Sequence, residues 1–286
     1  MDKIQPVIII GAPRSGTNIL RDTLVEFNDV CTWPFDETNF LWKKGHKINE
    51  NDELSIDQLS KDKILYVKKE FKKISRKNKS NTVIEKTCAN SLRIPFVDSV
   101  IPDAKYIFIC RDGIDATGSA KLRWRAKLEF NYIFQKLKYV PLSDIPFYGI
   151  RYLWSRIYRI FSKDSRLSIW GPSLNGMSEM FKNYSLNEVC ALQWQRCVDS
   201  SEEALSKLPD ENVFRVRYED FVSEPAIFID KILRFLNKDV SIELVQAAVT
   251  NVSADNVGKG RKALGDDEVL KLESLIETTL KRYEYL

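Results

Sequence analysis

The chain has 286 residues, of which 44% are hydrophobic and 29% charged. This composition is typical of a globular protein and argues against overall disorder. The 44 basic and 40 acidic residues leave a net charge of +4, which is too small to indicate nucleic-acid binding. No apolar run reaches the ~20 residues that span a bilayer. With five scattered cysteines and one histidine, we expect a cytoplasmic protein with buried thiols and no metal site.

The predicted elements alternate between strands and helices along the chain. Residues 7–10 form an apolar, β-branched run that is typical of a strand covered on both faces. Further strands are predicted at 81–85, 105–110 and 212–217, and helices at 17–27, 64–79, 91–100, 114–127, 186–208, 225–236 and 267–283. Ser185 and Glu188 form a capping box that opens one of these helices. The alternation predicts an α/β fold, a P-loop-like three-layer sandwich in which helices flank a central parallel sheet.

Aromatic and basic residues interleave between about 128 and 184, where no motif stands out. We interpret this stretch as a helical insertion or lid within a single domain that spans 1–286. Helix packing with snorkelling bases explains the pattern. A groove for an anionic acceptor, or a face for peripheral membrane contact, is the open alternative. The charges of the basic helix at 64–79 are interpreted as a solvated face.

The segment from Gly11 to Asn18 reads GAPRSGTN and separates the first strand from the first helix. Backbone N–H groups and the helix dipole favour an anion at such a junction, although a plain turn is the alternative. Its glycines fit the Walker pattern, but Thr17 occupies the lysine position and Asn18 the magnesium-binding hydroxyl position. Phosphoryl transfer needs that lysine and usually that metal. The loop therefore favours sulfuryl transfer, in which the moving group carries less negative charge.

Three motifs resemble, in order, the nucleotide-binding segments of one enzyme family: PRSGT at 13–17, EKT at 85–87 and PDAKYIFICRDG at 102–113. The family comprises sulfotransferases that use 3′-phosphoadenosine 5′-phosphosulfate (PAPS), and the tyrosylprotein and glycan branch is the most similar. The resemblance covers about 6–43, 81–125 and 186–264. It implies that PAPS is the co-substrate, that no metal is needed, and that the acceptor is a hydroxyl of a glycan or another hydroxylated molecule.

The resemblance also implies two phosphate sites. The 5′-phosphosulfate would contact the loop residues Arg14, Ser15, Gly16, Thr17 and Asn18. The 3′-phosphate would contact Arg111 at a strand end and Ser119 eight residues later, with Arg123 on the same helix face as Ser119. An Arg111–Asp112 surface pair is the alternative for this segment.

Two C-terminal segments complete the implied nucleotide site. Tyr218 matches the tyrosine that lies by the adenine in this family, with a core aromatic as the alternative. Lys259 and Arg261 match a basic loop that closes over the phosphates, and we expect a flexible glycine-containing turn there. The alternative is a loop whose cations are only solvated, since it would have the same sequence pattern.

Transfer to a hydroxyl needs a base for the acceptor proton and cations for the charge that develops on the leaving group. The resemblance places Lys86 at the bridging oxygen and sulfonate, and Arg14 at the leaving 5′-phosphate. His46 lies among lysines and is interpreted as a solvent-exposed loop residue. Branches without a histidine base use a glutamate after the first helix, which predicts Glu37 as the base and leaves Asp36 as its rival.

Two other functions stay open at this stage: a P-loop phosphotransferase and a catalytically silent nucleotide-binding module. The missing Walker lysine and hydroxyl count against the first. Gln193 and Trp194 fit either an acceptor wall or a helix core. No pattern predicts the oligomeric state or identifies the acceptor.

Overall fold

A parallel β-sheet organises the computed structural model, which describes residues 4–45, 51–124 and 170–286. Its five strands have the order β2-β3-β1-β4-β5. They are β1 (Gln5–Ile10), β2 (Val30–Thr32), β3 (Thr82–Lys86), β4 (Lys105–Cys110) and β5 (Val213–Arg217). Every pairing is parallel, which confirms the predicted sheet.

Helices connect the strands and cover both faces of the sheet. They are α1 (Thr17–Leu24), α2 (Asn39–Lys43), α3 (Lys61–Asn78), α4 (Ile94–Val100), α5 (Gly113–Trp124), α6 (Met177–Asn183), α7 (Leu186–Leu205), α8 (Tyr218–Ser223), α9 (Pro225–Phe235), α10 (Ile242–Ala248), α11 (Lys259–Lys262), α12 (Asp266–Leu275) and α13 (Glu277–Arg282). Side chains alternate along a strand, so β1 contributes Ile8 and Ile10 to one core and Val7 and Ile9 to the other. The predicted three-layer α/β arrangement is confirmed.

The strand order reverses at β1, which lies between β3 and β4. Ligands of open α/β sheets bind beyond the carboxyl ends of the strands at such a switch point. All strands run parallel, so the segments that follow β1, β3, β4 and β5 begin at the same edge of the sheet. The candidate site residues follow these four strands.

Several predicted boundaries differ from the structure for local reasons. The helix predicted at 267–283 is interrupted at Ile276, whose backbone (φ −118°, ψ 23°) leaves the helical region. The helix predicted at 91–100 begins only at Ile94, with Pro95 in its first turn, because proline cannot continue a preceding helix. The strand and helices that the sequence did not predict, β2, α2, α8, α10 and α11, are each seven residues or shorter, too short for periodicity to show.

Two other expectations, the capping box and the buried thiols, are confirmed. Ser185 Oγ accepts from the backbone N–H of Glu188, and the Glu188 carboxylate accepts from Ser185 N, as a capping box requires. The five cysteines are free and buried. No helix within the described ranges is long and apolar enough to cross a membrane. Of the insertion predicted at 128–184, residues 128–169 lie outside the described residues, as does His46.

Candidate active site

The glycine loop, residues 11–18, joins β1 to α1 and depends on both of its glycines. Gly16 has a left-handed backbone (φ 88°), and a Cβ there would lie 2.3 Å from Cδ2 of Tyr218. A Cβ on Gly11 would lie 2.7 Å from the carbonyl oxygen of Ile109 on β4. Only glycine therefore allows the loop to pack this closely against its neighbours.

The loop leaves polar groups available to an anion. No side chain caps the first turn of α1, so its backbone N–H groups stay open. Ser15 is fully buried, and its hydroxyl oxygen has no hydrogen-bond partner among the described residues. The Oδ1 atom of Asn18 also has no partner there, but it is an acceptor and does not contribute a bond to an anion. A phosphate or sulfonate oxygen is the kind of partner that such an arrangement accepts.

Three arginines gather beside the loop. Arg14 Nε donates to Ser119 Oγ at 2.9 Å, and Arg111 donates to the carbonyl oxygen of Arg14 at 2.9 Å. Burial lowers the pKa of Arg14, and the charges of Arg123 and Arg111 lower it further. The structure thus brings Arg14, Arg111, Ser119 and Arg123 together as predicted. A concentration of positive charge of this kind attracts an anion.

Glu37 and Lys86 form an ion pair at the end of β3. Lys86 Nζ lies 2.7 Å from Glu37 Oε1, and the backbone N–H of Cys88 donates to Glu37 Oε2 at 2.9 Å. Burial opposes the charge on Lys86, but the Glu37 carboxylate outweighs it, so the pKa of Lys86 is raised. The side chain of Lys86 is 3% exposed and that of Glu37 is 31% exposed, so solvent reaches the carboxylate. Asp36 instead pairs with Arg21 at 3.1 Å.

A buried polar network, which the sequence did not predict, holds this pair in place. Glu85 precedes Lys86 and is fully buried. Its carboxylate accepts from Thr87 Oγ1 at 2.5 Å, from Asn90 Nδ2 at 2.7 Å and from Thr38 Oγ1. The backbone N–H of Thr38 donates to Thr87 Oγ1 at 2.9 Å. Thr38, which follows Glu37, is therefore hydrogen-bonded to Thr87, which follows Lys86.

Burial raises the pKa of Glu85, and the charge of Glu37 adds to the effect. Cys88 is buried beside the same pair, and burial raises the pKa of its thiol to about 12. Its Sγ lies 3.8 Å from Thr17 Oγ1 in the glycine loop. Cys88 is therefore a neutral packing group that links the loop to the ion pair, not a nucleophile.

Arg111 has a second, larger set of contacts on α5. Its Nε and one terminal nitrogen donate to Asp115 Oδ2 at 3.0 and 2.6 Å, and that terminal nitrogen also donates to the carbonyl of Asn256. Asp115 in turn accepts backbone N–H bonds from Gly258, Gly260 and Arg261 at 2.9, 2.6 and 3.2 Å. Asp115 thus fixes the C-terminal segment. The i,i+4 spacing from Arg111 is the signal that could have identified it.

Comparison with known proteins decides the family. The model of the sulfotransferase domain family matches residues 5–271 of this chain. The chain belongs to the sulfotransferase domain family. A search of curated proteins gives no significant match.

Solved sulfotransferase structures share the fold at low identity. The sulfotransferase domain from the curacin biosynthetic pathway is 13% identical with a TM-score of 0.55, covering 96% of this chain and 99% of its own. A sulfotransferase from Mycobacterium avium is 13% identical with a TM-score of 0.55, covering 99% of this chain and 77% of its own. Retinol dehydratase, solved with androsterone and inactive cofactor PAP, is 16% identical with a TM-score of 0.50, covering 98% and 82%.

The C-terminal basic segment of this sulfotransferase is more ordered than the sequence implied. The expectation of a flexible turn is wrong, because residues Lys259–Lys262 form α11. A Cβ on Gly118 would lie 2.0 Å from the carbonyl oxygen of Gly260, so α5 and α11 are in backbone contact. Arg261 donates to Asp112 Oδ2 at 3.1 Å and to Glu273 Oε1 at 2.5 Å, whereas Lys259 is exposed.

Two buried aromatic residues of the sulfotransferase, Tyr218 and Trp194, pack against the glycine loop and Arg111. Tyr218 is buried against Gly16, and its ring centre lies 4.5 Å from the Arg111 guanidinium carbon. Trp194 is buried, packs against Gly113 and donates from Nε1 to the carbonyl of Arg111 at 3.1 Å. Both rings are therefore part of the packed core. That Tyr218 also contacts the adenine stays a prediction.

Proposed function

We propose that this sulfotransferase moves a sulfuryl group from PAPS to a hydroxyl group of an acceptor. Family membership supports sulfuryl transfer in general. Retinol dehydratase, which shares the fold, is described in complex with androsterone and the inactive cofactor PAP. The observation that carries the proposal is the Glu37–Lys86 pair, at 2.7 Å, beside an anion-ready glycine loop. We further propose that the chain is one domain, since the family model spans 5–271.

The residues around the loop fit a nucleotide that carries phosphates at both ends. The uncapped turn of α1 and the unpartnered Ser15 hydroxyl suit the 5′-phosphosulfate. The loop residues that would hold it are Arg14, Ser15, Gly16, Thr17 and Asn18. By the resemblance, Arg111, Ser119 and Arg123 would hold the 3′-phosphate. Arg111 and Ser119 hydrogen-bond to Arg14, which supports a second phosphate site next to the first.

The remaining assignments around the nucleotide rest on the resemblance. Tyr218 is proposed for the adenine, and Lys259 and Arg261 for the phosphates. The structure adds one qualification: two donors of Arg261 already bond to carboxylates. Lys259 is exposed, as is Lys262, and it suits the role better than Arg261.

Bound PAPS supplies the sulfuryl group and a stable nucleotide leaving group. Glu37 is the proposed base, because its partly exposed carboxylate can receive the acceptor's hydroxyl proton at Oε1. Once Oε1 holds that proton, its attraction for Lys86 Nζ falls. The ammonium is then free to stabilise negative charge elsewhere in the site. Arg14 and the backbone N–H groups of the glycine loop stabilise the negative charge that develops on the leaving 5′-phosphate.

Sulfate transfer to a panel of acceptors tests the proposal. The protein is incubated with PAPS labelled at sulfur and with glycans, phenols, sterols and simple alcohols. We expect label on at least one hydroxylated class, with transfer retained in Asp36→Asn and lost in Glu37→Gln. Asp36 is the matched control because it neighbours Glu37 but pairs with Arg21.

Two results would contradict the proposal. PAP binding without transfer to any acceptor would indicate a silent nucleotide-binding module. Transfer of the terminal phosphate of ATP would indicate a phosphotransferase. A glycan as the preferred acceptor is our narrower expectation, which the same panel decides.

A further inference from the structure

Helix α3 and the residue after it carry more positive charge than the whole protein. Residues 61–79 contain nine lysines and arginines and two carboxylates, a net charge of +7, whereas the complete chain has +4. The remainder of the chain therefore has a net charge of −3. Such an asymmetry indicates a surface that meets a negatively charged partner.

Five of these nine cations lie on one exposed face of the helix, whereas Lys63 is buried. Val67, Phe71 and Ile74 face the core. Leu65, Lys68, Lys69, Lys72, Lys73 and Arg76 line the opposite, exposed side. Their spacing of three or four residues places them on a single stripe. We call these six residues the basic stripe.

A solvated face does not explain the basic stripe well. Exposed helix faces usually alternate in sign, since like charges four residues apart destabilise a helix. Lys68 and Lys72, and Lys69 and Lys73, are such pairs. Glu70 lies 3.5 Å from Lys73, and within the described ranges Lys68, Lys69 and Lys72 have no carboxylate partner. Among the described residues, the repulsion between Lys68 and Lys72 is therefore not compensated by an ion pair, and that between Lys69 and Lys73 is compensated only at Lys73.

The shape of the basic stripe favours a flat partner. An 18-residue helix is about 27 Å long, and all six residues of the stripe belong to this helix, with no residue of another described element lining the same surface. Leu65 is 66% exposed at the N-terminal end of the stripe, where its side chain can enter an apolar layer while the lysines contact headgroups. A planar anionic surface contacts all six residues at once.

We propose that the basic stripe of α3 docks this protein on bilayers that contain anionic lipids. Each exposed lysine adds a modest attraction to such a surface, and several in a row give stable but salt-sensitive binding. The proposal does not depend on the chemistry assigned to Glu37 and Lys86, because α3 carries none of the residues of that site.

Vesicle sedimentation tests the docking surface. The full chain is mixed with phosphatidylcholine vesicles that either contain or lack phosphatidylserine. We expect binding only to the phosphatidylserine vesicles, weakened by salt. The variant Lys68→Gln/Lys69→Gln/Lys72→Gln/Lys73→Gln should bind more weakly by a factor on the order of 1,000.

A second quadruple variant controls for net charge. Lys207, just after α7, and Lys231, Lys271 and Lys281, on α9, α12 and α13, are exposed. Changing all four to glutamine removes the same charge. This control should bind phosphatidylserine vesicles within about threefold of the wild type. Thermal unfolding followed by circular dichroism establishes that both variants are folded.

Three outcomes would overturn the proposal. The wild type could bind both vesicle types equally or neither. The two quadruple variants could lose binding equally, which would make net charge the cause. The wild type could bind heparin through the basic stripe without binding phosphatidylserine vesicles, which would assign the surface to an anionic polysaccharide.

Discussion

Two cation–carboxylate pairs flank the glycine loop, and they differ in what else their carboxylates contact. Glu37, paired with Lys86, is 31% exposed and accepts one backbone N–H bond. Asp115, paired with Arg111, is 1% exposed and accepts three backbone N–H bonds from the C-terminal segment. The first carboxylate is accessible to a substrate, whereas the second is enclosed and joins two parts of the fold. The two carboxylates therefore have separate roles: Glu37 is proposed for the chemistry, whereas Asp115 is structural and holds Arg111, the residue proposed for the 3′-phosphate.

The largest expected effect comes from breaking the enclosed pair. Asp115→Asn leaves the Arg111 guanidinium buried without a counter-charge, and we expect the free energy of unfolding to fall by about 3–5 kcal/mol. Urea denaturation measures this loss. Lys86→Met is the comparison, because the Glu37 carboxylate that it leaves can be solvated, and we expect a loss of about 1 kcal/mol. Equal losses in the two variants would refute the distinction between the pairs.

A smaller effect should follow from separating α5 and α11, which Asp115 joins. Gly118→Ala would place a Cβ 2.0 Å from the Gly260 carbonyl oxygen, and relieving that overlap should cost about 1–3 kcal/mol of unfolding free energy. Helix propensity alone predicts the opposite sign, a gain of up to about 1 kcal/mol. The sign of the change in unfolding free energy, measured by thermal or urea unfolding, therefore shows whether α5 and α11 are in close contact.

The smallest predicted effect concerns the pH dependence of stability. It arises from Glu85, in the buried network next to the Glu37–Lys86 pair. Burial raises the pKa of Glu85 in the folded protein above its ordinary value. The stability that depends on Glu85 is therefore present below that ordinary value and is lost as pH rises through the raised folded-state pKa.

Glu85→Gln removes this titration and provides the reference. We expect the unfolding free energy of the wild type, relative to the variant, to decrease as pH increases from about 4 to 8. Urea unfolding at a series of pH values measures the difference. The opposite result would be a wild type whose unfolding free energy, relative to the variant, increases with pH. It would show that the hydrogen-bond donors of Thr38, Thr87 and Asn90 stabilise the Glu85 carboxylate more than burial destabilises it.

Local patterns were sufficient to predict much of the fold and part of the site. The strands β1 and β4 are continuous apolar runs, and the glycine loop follows β1 directly, so composition and order identified them. The structure brings together Arg14, Arg111, Ser119 and Arg123, and it places Glu37 beside Lys86 although they are 49 residues apart in sequence.

Contacts that depend on tertiary packing could not be predicted in the same way. Asp115 holds backbone groups more than 140 residues away, and no local pattern encodes such partners. The short helix α11 forms where Gly118 allows close approach. Residue spacing also gave no basis for preferring Glu37 to Asp36 as the proposed base, because the two acids are adjacent. In the structure they differ in their cation partners, Lys86 for Glu37 and Arg21 for Asp36.

The most direct test of the account compares catalysis with nucleotide binding in Glu37→Gln. Sulfate transfer from labelled PAPS gives kcat, and isothermal titration gives the Kd for PAP. We predict that kcat falls by about 10²–10⁴, the usual contribution of a general base, while the Kd for PAP changes less than about threefold, because the 3′- and 5′-phosphate contacts are assigned to other residues. An unchanged kcat, or a loss of PAP binding equal to the loss of transfer, would contradict the assignment of Glu37 as the base.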